Sequence, residues 1–85
     1  MVTVKKFSAD WCGPCRTLAP VIQEVKAKLP EVTFVDINVD TDQATAAEAG
    51  VRNIPLVVIY KDGVEVDRVA GVNPESVYLS KIQSA

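Results

Sequence analysis

No histidine occurs among the 85 residues of this chain, and cysteine occurs only twice, at positions 12 and 15. The missing imidazoles take away the commonest metal ligand and the side chain that most often moves protons near neutral pH. A closed tetrahedral zinc site would have half its usual donors, so it would need carboxylates or a second chain. Long apolar stretches are absent too. The longest run, Leu56 to Tyr60, is far short of the ~20 residues a spanning helix needs. The first eleven residues carry Lys5 and Lys6 but no apolar core of signal-peptide length. A clustered basic excess is also missing: nine Lys and Arg are scattered against eleven Asp and Glu, for a net charge of −2. That balance argues against nucleic acid as a main partner. The expectation is a cytoplasmic monomer with no membrane and no nucleic-acid partner.

What is present suits one small globular domain over residues 1–85, with 48% apolar and 24% charged residues. Val2 to Phe7 reads as a strand that runs through Ser8-Ala9-Asp10 into a helix start. Leu18, Val21, Ile22, Val25 and Leu29 recur at helical spacing, and Pro30 ends the pattern. Pro20 falls inside this helix and is expected to bend it, either as a tolerated kink or as a device that aims the first turn. Val32 to Val39 is a second strand, so a right-handed βαβ unit with parallel strands follows. Asp40 or Thr41 is expected to cap a short alanine-rich helix that stops at Gly50. Leu56 to Tyr60, the turn Asp62-Gly63 and Val64 to Ala70 read as a hairpin. Asn73-Pro74-Glu75 opens a last helix that packs Tyr78, Leu79 and Ile82. The class is α/β, in the order βαβαββα.

The segment richest in chemistry is Trp11-Cys12-Gly13-Pro14-Cys15. Residues three apart on a helix have Cβ atoms ~5–6 Å apart, close to what a disulfide needs. Pro14 suits a first helical position, which places Cys12 at the positive end of the helix and favours its thiolate. Thiol–disulfide exchange follows: Cys12 attacks a partner's disulfide, and Cys15, expected to be the less exposed, resolves the mixed disulfide. A permanent staple is the competing reading, but closing so short a loop removes little unfolded-state entropy. Metal bridging by a dimer is the other.

Trp-Cys-Gly-Pro-Cys after a strand, Pro20 in the next helix, Ile54-Pro55 before a strand, Asp62-Gly63 in a hairpin and Gly71 before the last helix together resemble the thioredoxin family. The resemblance covers nearly the whole chain and implies a thioredoxin-like four-stranded mixed sheet flanked by three helices, shortened by the family's first strand and helix. It implies a cis bond before Pro55, and a shallow docking surface made by Trp11, Gly13, Pro14, Asn53, Ile54, Pro55, Ala70 and Gly71. It also implies a redox protein with no bound cofactor. Electrons would come from a thioredoxin-reductase-type flavoprotein and pass to disulfide-containing proteins, with ribonucleotide reductase one substrate the family allows.

One position departs from the family. Its members usually place a buried aspartate where Lys6 stands, paired with a lysine where Asp36 stands, so the two charges have traded strands. Lys6 and Asp36 are expected to form a partly buried pair under the cysteines that tunes the thiols, since a lone buried ion is costly. The alternative is that Lys6 reaches solvent and leaves Asp36 as proton acceptor.

The leading function is therefore a small dithiol–disulfide oxidoreductase using Cys12 and Cys15. A glutaredoxin-like, glutathione-coupled enzyme is the nearest alternative, though Gly13-Pro14 favours the thioredoxin pattern. A non-redox docking subunit of a larger assembly is the third.

Overall fold

The computed structural model describes residues 1–85. Its elements are β1 (Val2–Ser8), α1 (Gly13–Lys28), β2 (Thr33–Asn38), α2 (Gln43–Glu48), β3 (Leu56–Lys61), β4 (Val64–Ala70) and α3 (Glu75–Gln83). The four strands form one mixed sheet in the order β2-β1-β3-β4. Strands β1 and β2 are parallel, joined by the α1 crossover, and the β1–β3 and β3–β4 pairs are antiparallel.

Alternation along the strands divides the core in two. Val4, Val57, Ile59 and Val69 meet the apolar stripes of α1 (Leu18, Ile22, Val25) and α3 (Tyr78, Ile82) on one face. Phe7, Ile37, Leu56 and Val58 pack on the other, against Ala46, Ala49, Val51 and Ile54. Strand β3 is central and covered on both sides, which explains its unbroken apolar run from Leu56 to Ile59. The β3–β4 turn has Asp62 at φ 52° and Gly63 at φ 84°, the positive pair that a two-residue hairpin turn demands.

The expected elements are all present, with shifts at their ends. Helix α1 begins at Gly13, so Pro14 occupies the second helical position and Cys12 is the N-cap. Neither Asp40 nor Thr41 caps α2; Asp42 does, its side chain accepting from the Thr45 N–H at 3.3 Å. Asp40 is engaged elsewhere, as described below. Pro20 lies within the continuous span of α1 on its exposed side, where the missing N–H leaves the Arg16 carbonyl to water. No helix is long and apolar enough to cross a membrane.

Candidate active site

The parallel β1–β2 pair brings the loops that follow both strands to the same edge of the molecule. The Val39 N–H donates to Ser8 O at 2.9 Å there, tying the two loops together. Cys12 and Cys15 sit at this edge, joined as a disulfide across a Cα separation of 5.3 Å. They pack with Ala9, and Val39 and Ile54 close over them. The Cys15 N–H donates to Cys12 Sγ at 3.2 Å. An N-cap sulfur that accepts a backbone N–H at the positive end of a helix is stabilised as an anion, and only Cys12 is so placed.

Exposure does not separate the two residues. Cys12 is 4% and Cys15 6% exposed, so the expectation of a more open Cys12 is corrected. Ile54 and Val39 both pack against the pair. Electrostatics, rather than access, distinguishes the two cysteines.

Several of the residues expected to form a docking surface are tied together. The Ile54–Pro55 bond is cis, and Pro55 is buried while Asn53 stays exposed. Gly71 N–H donates to Pro55 O at 2.9 Å, which ties the loop after β4 to the cis-proline segment. Gly71 has φ 76°, a conformation only glycine adopts cheaply. Trp11, Gly13, Pro14 and Ala70 are exposed around the pair. Trp11 is 68% exposed, yet its indole Nε1–H donates to Asp40 Oδ2 at 2.8 Å.

Lys6 and Asp36 are register partners on β1 and β2, and Lys6 Nζ lies 3.3 Å from Asp36 Oδ1. The pair forms, but it straddles the surface: the Lys6 side chain is 14% exposed and that of Asp36 74%. Asp36 is therefore not a buried proton acceptor. A groove of about 380 Å³ runs behind the disulfide, lined by Lys6, Cys15, Asp10 and Arg16 but not by Asp36. No group of three or more His, Cys, Asp or Glu side chains converges anywhere in the fold to hold a metal.

Sequence reasoning missed three supporting residues. Asp40 anchors Trp11 across 29 positions, a contact that follows only once the two loops are known to be adjacent. Asn73 donates to Ala70 O at 3.1 Å, and Tyr78 donates its hydroxyl to Gly71 O at 3.1 Å, so both brace the loop after β4. The available signal was a buried tyrosine whose hydroxyl needs a partner.

Comparison with known proteins agrees with this architecture. The family model described as Thioredoxin matches residues 1–84. The chain is 39% identical to thioredoxin H-type 1 of Nicotiana tabacum over 99% of its own length and 67% of that protein's. It is 44% identical to thioredoxin of Chlamydia caviae over 78% of its length and 65% of the relative's. The chain thus spans about two thirds of the length of these curated relatives. The structure of Fasciola hepatica thioredoxin superposes with a TM-score of 0.91 at 40% identity, covering 98% of this chain and 79% of that one. Matched along nearly its whole length by the family model, and sharing the fold of a solved thioredoxin, the chain belongs to the thioredoxin family.

Proposed function

We infer that the chain is a dithiol–disulfide oxidoreductase that reduces disulfides in protein partners through Cys12 and Cys15. The observation that carries this reading is the bonded pair at the N-terminus of α1, with Cys12 Sγ held by the Cys15 N–H at 3.2 Å. In the reduced protein Cys12 thiolate attacks one sulfur of a partner disulfide, and the other leaves as a thiolate. Cys15 thiolate then attacks Cys12 Sγ, closing the Cys12–Cys15 bond and releasing the second partner sulfur. Two electrons pass from the dithiol to the partner.

The partner is taken up as an extended segment along Ile54-Pro55, with Trp11, Ala70 and Gly71 at its sides. Backbone contacts dominate such a surface, which suits many sequences. Electrons return from a thioredoxin-reductase-type flavoprotein. Insulin disulfide reduction tests the reading: the native chain should turn over with such a reductase and not with glutathione alone. Cys15→Ser should accumulate a mixed disulfide through Cys12, whereas Cys12→Ser should accumulate none. A Cys12→Ser variant of undiminished activity would remove the proposal.

A further inference from the structure

Resting on that reading of the cysteine pair, we propose that Lys6, which lines the same groove as Cys15, is a positioning residue whose charge favours the resolving thiolate once Cys12 is bound up in the mixed disulfide. Strand alternation places Lys6 on the α1 face beside Val4, so its stem runs under the helix that carries Cys15. The same groove is lined by Lys6 and Cys15, together with Ser8 and Ala19. Cys12 does not line it. Of the two cysteines, the resolving one is the one that shares a groove with the lysine.

The charges around the groove favour an anion at Cys15. Arg16 on α1 faces it, with its guanidinium Nη2 donating to Asp10 O at 2.7 Å. Asp10 in the β1–α1 loop supplies the one carboxylate lining it, and that carboxylate accepts from Asn38 Nδ2 at 3.3 Å. Asp36 on β2 touches the lysine from outside. Water screens a charge that is 74% exposed far more than one whose side chain is 14% exposed. At Cys15 the lysine's field thus outweighs that of its partner.

This arrangement changes how the resolving step is reached. Cys15 must lose its proton before its sulfur can attack Cys12 Sγ, form the Cys12–Cys15 bond and expel the partner's thiolate. A nearby cation stabilises the thiolate directly, and the proton leaves to water in the groove. A volume of about 380 Å³ is ample, since each water occupies ~30 Å³ in the liquid. Stabilising the reduced form also shifts the pair toward the oxidising end of its range.

The test titrates Cys15 by thiolate ultraviolet absorbance in Cys12→Ser, alone and combined with Lys6→Met, Lys6→Arg or Asp36→Asn. Lys6→Met should move the curve up by about one pH unit, a tenfold loss of thiolate below the midpoint. Lys6→Arg should keep the parent curve, and Asp36→Asn, which frees the lysine from its partner, should move it down. In the two-cysteine chain, Lys6→Met should shift equilibrium with glutathione toward the disulfide, by about tenfold at a pH above both Cys15 midpoints and by less below them. Coincident curves for Lys6→Met and its parent overturn the proposal, as does movement of Lys6→Met and Asp36→Asn in the same direction. If Lys6→Met does not fold, the direction of Asp36→Asn decides. The titration needs no turnover, so failure of the native chain to interconvert dithiol and disulfide would count against the redox reading separately.

Discussion

Trp11 has most of its ring in solvent and still has a fixed orientation, because Asp40 holds its indole N–H at 2.8 Å. An exposed aromatic that is already ordered loses little rotamer freedom when a partner covers it, and that freedom is worth about 0.5–1.5 kcal/mol per side chain. Asp40→Ala should therefore raise KM for a protein disulfide about two- to tenfold while leaving kcat for a small disulfide unchanged. Asp40→Asn, which keeps an accepting oxygen, should restore much of the loss. Steady-state kinetics on insulin and on a small aromatic disulfide would check both. The two sulfurs were legible from the motif's spacing, and the Lys6–Asp36 exchange only through the resemblance to the family; the register that makes them partners came from the structure. The sequence did not expose Asp40, whose side chain had two local uses, capping a helix or meeting a neighbour. Asp42 took the first, and only the packed loops reveal the second.

Helix α3 acts on the site through the loop in front of it. Tyr78 is fully buried, and its hydroxyl donates to the carbonyl of Gly71, whose N–H in turn donates to Pro55 O. Two hydrogen bonds thus connect the helix to the segment proposed to receive substrate. Tyr78→Phe leaves the ring packed but takes the donor from a partly buried carbonyl, a change worth about 1 kcal/mol. The denaturation midpoint should fall accordingly, and KM for a protein disulfide should rise without loss of kcat. An unaltered KM would restrict Tyr78 to a packing role. Helix α2 is the opposite case: six residues with none buried, fastened at its start by Asp42. Asp42→Ala should cost about 1 kcal/mol, seen first as faster amide exchange in α2. Elements of this kind were readable in type and order because α1 has helical spacing and β3 a continuous apolar run. Strand β4 alternated only in part, and the cause is the register shift opposite Ile59 and Tyr60, which skips Val66. A bulge breaks the period of two, so the pattern along one strand alone could not reveal it.

Across the whole molecule, charge pairs brace the β4 side of the fold. Arg68 grips Glu65 at 2.7 Å and donates to Ala49 O at 2.9 Å, while Lys81 of α3 meets Asp67 at 3.0 Å. The Arg68 hydrogen bond holds the Glu65 carboxyl below its ordinary range, and the Lys81 hydrogen bond does the same for Asp67. A depressed carboxylate contributes stability that is present above its unfolded value and lost as pH falls through the folded one. Burial, with Glu65 nearby, raises the Tyr60 phenol. Its contribution is present below the unfolded value and lost as pH rises through the folded one. Stability of the disulfide form should therefore be level from about pH 5 to 9, falling below about 4 and above about 10. Glu65→Gln with Asp67→Asn should lower the plateau slightly and flatten the acid limb, because those groups then bind no extra protons on unfolding. Tyr60→Phe should flatten the alkaline limb and leave the acid one alone. Denaturant midpoints measured across pH would check both. Equal acid slopes in the native and doubly substituted chains would place the acid sensitivity in other carboxylates. The exposure of these pairs keeps each effect small, so the pH profile should be shallow and should flatten further in salt.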